Sequence, residues 1–199
     1  MSIVVEHEKR RREILEKALD VFVEEGFEDV TFQKIADKCG ITRTTLYIYF
    51  KNKRDIFNFS IKQLLQALEN DITDTAKKKG ISYREKITQI MNVIIERLEK
   101  NNRLLSVILN YLIYMAKSGY DPDYRVRRRT VRLRHILTTI LIEGIKAGEF
   151  SPSINAKDAN ELFYSLIESA VFRLTILNRS TVDEINEAMN LVIERFLAG

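Results

Sequence analysis

The chain has 199 residues, of which 45% are apolar and 30% are charged, so it is long enough for one large globular domain or two small ones. Its charges are mixed in sign (32 basic, 28 acidic), and the net charge of +4 does not by itself indicate a nucleic-acid binder. Seven glycines and two prolines cannot supply the frequent turns of a β-sandwich or barrel. The composition therefore favours a helical globular protein and excludes a disordered or fibrous one.

Metal sites, disulfides and membrane spans are all unexpected. Cys39 is the single cysteine, and the two histidines, His7 and His135, lie far apart in sequence, so we expect no metal site and no cofactor. No apolar run approaches the ~20 residues of a membrane-spanning helix. The charged segment 1–12 does not resemble a signal peptide, so we expect a cytoplasmic protein.

Apolar residues recur at helical spacing along almost the whole chain, which predicts an all-α fold of about nine helices, three short and six longer. The predicted helices begin at capping residues and mostly end at glycine or polar residues. In chain order they cover residues 8–25, 31–39, 42–50, 52–79, 82–98, 104–115, 123–146, 155–174 and 181–196. Capping boxes are expected at Ser82 with Glu85 and at Thr181 with Glu184.

The segment 31–50 has the pattern of a helix-turn-helix: a capping threonine, a short helix, a glycine turn, a second capping threonine and a second short helix. Gly40 permits the left-handed backbone that the turn requires. The apolar residues expected to hold the two helices nearly perpendicular are Ile35, Ala36, Cys39, Leu46 and Phe50. Three short helices in an ordinary bundle remain the alternative explanation of this pattern.

The N-terminal segment also resembles the TetR family of bacterial transcriptional regulators, closely over about residues 8–60. The matching residues are Gly26-Phe27, Thr31, Ile35-Ala36, Gly40-Ile41-Thr42 and the run from Leu46 to Lys53, which is close to the family signature L-Y-x-[HY]-F-x-[NS]-K. Beyond residue 60 the resemblance is limited to length, helix number and the stretch Gly144–Phe150. It implies a DNA-binding domain at residues 1–52 and a larger effector-binding and dimerisation domain at residues 53–199.

The third predicted helix presents polar and apolar side chains on the face opposite Leu46 and Phe50. Arg43 has the reach to read a guanine edge with two hydrogen bonds, or to contact a phosphate instead. Thr44 and Ile48 are suited to thymine methyl groups, and hydroxyl groups nearby are suited to phosphates. The candidate DNA-binding residues are Thr31, Gln33, Thr42, Arg43, Thr44, Thr45, Tyr47, Ile48, Tyr49 and Lys53.

Two further basic segments are less specific. The run Lys9-Arg10-Arg11-Arg12 is either a solvated helix face or an arm that contacts phosphates, and we favour the phosphate contact. Six arginines lie between Arg125 and Arg134, where a solvated face is the simplest interpretation. An anionic effector or a second contact with DNA or a partner are the alternatives. An RNA-binding or nuclear-targeting segment is disfavoured, because the same helix continues into apolar residues from Ile136.

The last two predicted helices are apolar on more than one side, which indicates a second buried face and therefore a homodimer. The candidate interface residues are Leu166, Ala170, Val171, Leu174, Ile185, Met189, Val192 and Phe196. Two helix-turn-helix units acting together would read a near-palindromic duplex.

The resemblance also implies a small-molecule effector of unknown identity in the C-terminal domain. Aromatic residues and methionines with few polar groups indicate a largely apolar or aromatic ligand. The candidate lining is Phe59, Met91, Tyr111, Tyr114, Met115, His135, Phe163, Ile167 and Phe172, each of which has ordinary core packing as an alternative. We see no Gly-rich phosphate loop or nucleophile motif, so an enzyme is not expected. An architectural DNA-binding protein without an effector is the nearer alternative to a repressor.

Overall fold

The computed structural model describes residues 3–197, with side chains from residue 5 onward. The described chain folds into nine helices, as predicted. They are α1 (Ile3–Asp29), α2 (Phe32–Cys39), α3 (Arg43–Tyr49), α4 (Lys53–Lys77), α5 (Tyr83–Lys100), α6 (Asn102–Lys117), α7 (Pro122–Lys146), α8 (Ala156–Thr175) and α9 (Asp183–Phe196). Within this part of the chain, no helix has the length and apolar character to cross a membrane.

Most of the predicted helix starts are confirmed by side-chain caps. A side-chain oxygen of each capping residue accepts a hydrogen bond from a backbone N–H of the first turn, which satisfies a donor that the helix itself leaves free. These caps are Thr31 for α2, Thr42 for α3, Asn52 for α4, Ser82 for α5 and Asn155 for α8.

The predicted capping box at Thr181 and Glu184 is wrong. Helix α9 begins at Asp183 after Val182, which makes no side-chain cap, and the Thr181 hydroxyl instead contacts the Asp183 carboxylate at 3.1 Å. Val182 is fully buried, and its N–H donates to the Glu99 carboxylate at 2.8 Å. A contact with α5 therefore sets the start of α9, and local sequence alone does not reveal it.

Helix α1 spans Ile3–Asp29 and so begins earlier than predicted, but its helical backbone is interrupted at Gly26. Gly26, expected as the helix end, has the non-helical φ 81° and ψ 163° and separates the main part of α1 from a last short turn. A positive φ of this size is accessible to glycine at little cost. The kink turns the last residues of α1, including the buried Phe27, towards α4 and α6.

Two apolar cores organise the molecule. The N-terminal core is built from α1, α2 and α3, but it also takes in Ile56 and Phe57 from α4 and Val107, Tyr111 and Met115 from α6. The C-terminal core lies among α4, α5, α7, α8 and α9. Packing thus continues across the predicted boundary at residues 52 and 53, and that boundary remains a prediction.

The stretch Gly144–Phe150 joins α7 to α5 and fixes one end of the C-terminal core. A Cβ on Gly144 would lie 2.3 Å from the Phe150 ring, so only glycine lets the fully buried ring reach its position. Glu149 accepts hydrogen bonds from the backbone N–H groups of Tyr83 (2.7 Å) and Arg84 (3.0 Å) at the start of α5. The carboxylate therefore caps a helix more than sixty residues away in sequence.

Candidate nucleic-acid interface

The turn between α2 and α3 has the geometry that the sequence predicts. Gly40 adopts a left-handed conformation (φ 67°, ψ 36°), and its N–H donates to the Asp37 carbonyl at 3.1 Å. The Ile41 N–H donates to the Ala36 carbonyl at 3.1 Å, which completes the hydrogen bonding of the helix end. Behind the turn, the five apolar residues expected to hold the helices together are all buried.

Helix α3 has a buried side and an exposed side. Leu46 is 0% exposed, whereas Ile48 on the other side is 68% exposed, and Arg43 and Thr44 are exposed beside it. An isoleucine left in water at this level has no packing role within the protomer. The arrangement places an apolar and basic face where a partner surface can cover it.

The side chains on this face are held in defined positions. The Arg43 guanidinium donates to the Tyr47 hydroxyl at 3.2 Å, and the Tyr47 ring lies 4.5 Å from the Phe32 ring of α2. The Thr42 and Thr45 hydroxyl oxygens are 2.8 Å apart at the start of the helix. Arg43 and Tyr47 are therefore oriented by neighbours from both helices before any ligand arrives.

The remaining candidates near α3 are committed to internal contacts to different degrees. Gln33 donates to the Asp37 carboxylate at 2.7 Å but stays exposed, as does Thr31 at the start of α2. Tyr49 is only partly exposed, since its ring stacks on His7 of α1 at 4.6 Å. Tyr49 thus joins α3 to α1 and borders the exposed face.

Lys53, a candidate DNA-binding residue in the sequence, makes internal contacts that the sequence did not predict. Its ammonium donates to the carbonyls of Glu28 (2.6 Å) and Val30 (2.8 Å), and it lies 5.1 Å from the centre of the Phe27 ring. Burial lowers the pKa of Lys53, while the nearby Asp29 and Glu28 carboxylates oppose this shift. We therefore assign Lys53 to holding the end of α1 against the start of α4.

The basic run at Lys9–Arg12 is also divided between roles. Arg10 pairs with Glu13 at 3.2 Å, and the Arg11 guanidinium lies 4.2 Å from the centre of the Phe59 ring. Lys9 and Arg12 stay exposed. Only those two lack such internal contacts and are available as a phosphate-contacting arm.

The nine predicted effector residues are divided between the two cores and the surface, and their role as an effector lining stays a prediction. Met91, Phe163 and Ile167 belong to the C-terminal core, whereas Tyr111, Tyr114 and Met115 pack in or against the N-terminal core. Phe59 lies under Arg11, and His135 and Phe172 are exposed on α7 and α8. Periodicity correctly marks the apolar side of α6, but it does not say which of two cores that side contacts.

Four of the predicted dimer residues are buried inside the protomer and offer almost no surface to a partner. They are Ala170, Leu174, Ile185 and Met189, all in the C-terminal core. Leu166, Val171, Val192 and Phe196 are partly buried. The strongly exposed apolar residues here are instead Leu162 and Phe172 of α8, Ile176 at its C-terminal cap and Leu191 of α9. Leu162, Phe172 and Ile176 recur at helical spacing along one side of the helix. The exposed apolar surface is therefore on a different side of α8 from the predicted dimer residues.

The helix-turn-helix and the helical body behind it together define a class of DNA-binding transcriptional regulators. Residues 14–58 match the sequence model of the family described as Bacterial regulatory proteins, tetR family. The chain is 26% identical over 191 residues to the Fatty acid metabolism regulator protein of Bacillus subtilis (strain 168), covering 94% of this chain and 93% of that protein.

Two solved structures share the fold over almost the whole chain. A TetR transcription regulator from Haloarcula marismortui superposes with a TM-score of 0.83 at 20% identity, covering 96% of this chain and 100% of the other. The regulator FadR from Bacillus subtilis, solved in complex with stearoyl-CoA, gives a TM-score of 0.74 at 24% identity, with coverages of 94% and 97%. Residues 14–58 thus match the DNA-binding region of the tetR family of bacterial regulatory proteins, and the described chain shares the overall fold of such regulators.

Proposed function

We propose that the chain is a dimeric repressor that reads a near-palindromic operator through α3 and is released from it by a long-chain acyl-CoA. The proposal that α3 reads DNA rests on the exposed face of this helix, where Ile48 and Arg43 lie on the side opposite the fully buried Leu46. Arg43 is suited to a guanine edge, and Thr44 and Ile48 to thymine methyl groups.

The dimer is proposed from the apolar surface of the last two helices. Phe172 on α8 is 52% exposed and Leu191 on α9 is 62% exposed, with Leu162 and Ile176 on the same face of α8 as Phe172. A surface of this kind indicates an interaction site. Two rigidly linked α3 helices would then meet successive major grooves about 34–36 Å apart.

The effector class is proposed from two similarities and from the nature of the C-terminal core. The Bacillus subtilis relative is named for fatty acid metabolism, and the structural neighbour FadR was solved with stearoyl-CoA. The core between α4, α5, α7 and α8 is mainly aliphatic, with Ile87, Ile90 and Met91 fully buried. Aliphatic side chains of this type are suited to packing around an acyl chain that inserts between them.

The DNA-reading part is tested with duplexes selected from a random pool and fluorescence anisotropy. Arg43→Ala should weaken binding to the selected duplex by about 1–3 kcal/mol and relax the base preference at one base pair per half-site. Arg103→Ala, an exposed arginine on α6, is the matched control and should leave both unchanged. If Arg43→Ala keeps the base preference, α3 does not read sequence through this residue.

The dimer and effector parts need separate measurements. Phe172→Glu with Leu191→Glu should give monomers by sedimentation and abolish tight DNA binding, whereas Val131→Glu on the exposed side of α7 should do neither. Palmitoyl-CoA should release the duplex at micromolar concentration. Unchanged DNA affinity with palmitoyl-CoA and with stearoyl-CoA would contradict the effector class and leave the DNA-reading part intact.

A further inference from the structure

The arginines of the first half of α7 fall into two groups. Three of them form ion pairs, and these are Arg127 with Asp123, Arg132 with Glu69 and Arg134 with Glu161, at 2.9, 3.5 and 2.5 Å. Arg125, Arg128 and Arg129 make no ion pair with any described residue. A solvated face with acidic neighbours therefore accounts for only half of this basic run.

Arg125 borders the corner where α6 meets α7, and Arg128 and Arg129 follow three and four residues later on the same face of α7. Tyr120 lies in that corner, and the Arg125 guanidinium is 5.4 Å from the centre of its ring. From the other side, Arg54 of α4 approaches the same ring at 5.7 Å. Tyr120 is nevertheless 46% exposed, so two guanidinium groups and a phenol converge at a point that solutes can reach.

Arg129 shows the electrostatic character of the corner. It is half-buried, and burial lowers its pKa, with the like charges of Arg128 and Arg125 adding to the shift. The Tyr111 phenol acts in the opposite direction. A partly desolvated guanidinium between two other cations, with no carboxylate partner, is destabilised until an anion joins it.

The acidic residues closest in sequence are already engaged. The Asp121 carboxylate accepts a hydrogen bond from the Tyr124 N–H at 3.1 Å, and Asp123 is paired with Arg127. Beside Arg54 the surface also forms a cleft of about 310 Å³. Its walls are Phe27, Asn52, Lys53, Arg54 and Tyr114. The cleft shares Arg54 with the corner and leaves this guanidinium open to solutes on a second side.

We infer that this tyrosine–arginine corner, formed by Arg54, Tyr111, Tyr120, Arg125, Arg128 and Arg129, binds the phosphate groups of a diphosphate-bearing ligand and holds the coenzyme A head group of the effector. The identity of the ligand rests on the proposed function, whereas the phosphate site requires no acyl chain. Guanidinium groups suit this role because their planar donors bind phosphate oxygens in pairs.

The corner is also connected to the DNA-binding segment. Arg54 directly follows Lys53, which holds the carbonyls at the end of α1. An anion that draws Arg54 towards α7 would therefore act on the residue next to this clamp. Head-group binding at the corner is in a position to change how α1, α2 and α3 are held relative to α4.

The test uses the full-length chain and coenzyme A without an acyl group, measured by isothermal titration calorimetry. The wild type should bind coenzyme A but not pantetheine, which lacks the phosphates. A triple variant with Arg125→Gln, Arg128→Gln and Arg129→Gln should bind coenzyme A at least about tenfold more weakly, equivalent to about 1.4 kcal/mol. The matched control is Arg127→Gln with Arg132→Gln on the same helix, which should keep the wild-type affinity.

Three results that need no acyl-CoA would overturn the assignment. They are no binding of coenzyme A to the wild type, an equal loss in the control variant, and a folded triple variant that loses DNA affinity with a smaller salt dependence. The last would assign these arginines to DNA phosphates. Coenzyme A binding without release of DNA by palmitoyl-CoA would keep this site and contradict the proposed effector. If palmitoyl-CoA releases DNA but the triple variant keeps the wild-type affinity for coenzyme A, the proposed effector stands and this phosphate site is contradicted.

Discussion

The two cores of the molecule are built from different side chains. The N-terminal core contains a cluster of rings, in which Phe22 and Phe57 are 4.8 Å apart, and Tyr111 lies 4.5 Å from Phe27 and 4.8 Å from Phe57. The C-terminal core consists mainly of isoleucine and leucine, with Phe150 and Phe163 as its large fully buried rings. Edge-to-face ring contacts restrict relative orientation more than aliphatic packing does.

This difference bears on regulation. The aromatic cluster connects three separate helices, because Phe27 lies on α1, Phe57 on α4 and Tyr111 on α6. The DNA-binding segment is therefore packed directly onto α6, in addition to its covalent connection to α4. In the proposed regulator, the aliphatic core would rearrange around a ligand at lower cost, and the aromatic junction would pass a displacement of α6 or α4 on to α1.

The largest expected effect tests whether the two cores unfold together. Phe57→Ala and Phe163→Ala each remove a fully buried ring, and each should cost about 3–5 kcal/mol of the free energy of unfolding. Because α4 contributes to both cores and α6 packs against both, urea denaturation followed by circular dichroism should give one transition for both variants. A two-step transition in Phe57→Ala would show that the N-terminal core unfolds independently.

The features that the sequence predicted correctly depend on neighbours a few residues apart. Thr31, Gly40 and Thr42 act through hydrogen bonds to residues within four or five positions, so their roles follow from spacing alone. Nine helices likewise follow from apolar periodicity. The exposed side of α3 was also predictable, because Leu46 and Phe50 mark the buried side of a very short helix.

The features that the sequence did not reveal depend on contacts between distant segments. The acceptors of Lys53 lie 25 and 23 residues away, and Glu149 caps a helix 66 residues away. Tyr111 has the same apolar spacing whether α6 contacts one core or the other. The predicted effector and dimer residues are spread over several surfaces for the same reason: a stripe of apolar residues identifies a helix face but not what packs against that face.

A smaller effect should come from Gly144, which tests the aliphatic core alone. Alanine normally favours a helix over glycine by about 1 kcal/mol, but here its Cβ would meet the Phe150 ring at 2.3 Å. We expect Gly144→Ala to cost about 1–3 kcal/mol in urea denaturation. Adding Phe150→Leu should then cost less in the Gly144→Ala background than in the wild type. Additive losses would contradict the steric explanation.

Lys53 should have a still smaller effect on stability but a measurable one on DNA binding. Lys53→Met keeps most of the side-chain length and leaves two carbonyl groups of the α1–α2 connection without their donor. We expect a loss of about 1 kcal/mol in stability, since the group is partly exposed. DNA affinity should fall without a change in its salt dependence. A reduced salt slope would instead restore Lys53 as a phosphate contact.

The smallest perturbation is chemical labelling of Cys39, the single cysteine, which reports on opening of the N-terminal core without a mutation. Burial raises the pKa of the Cys39 thiol, partly opposed by Lys17 and Arg10, so the closed state holds little reactive thiolate at neutral pH. Labelling by a disulfide reagent should be slow and should pass through opened molecules. Its pH dependence should therefore follow the ordinary thiol pKa and not the raised one.

Labelling in the two phenylalanine variants then measures how strongly the cores are coupled. If opening that exposes Cys39 requires global unfolding, Phe57→Ala and Phe163→Ala should accelerate labelling by similar factors, about a hundredfold for a loss of 3 kcal/mol. If the N-terminal core opens alone, only Phe57→Ala should do so. We expect similar factors, because α6 closes the N-terminal core while itself packing against α8 of the other. If Phe163→Ala is labelled at the wild-type rate, the N-terminal core opens without unfolding of the aliphatic core. Displacements of one core would then not be passed to the other.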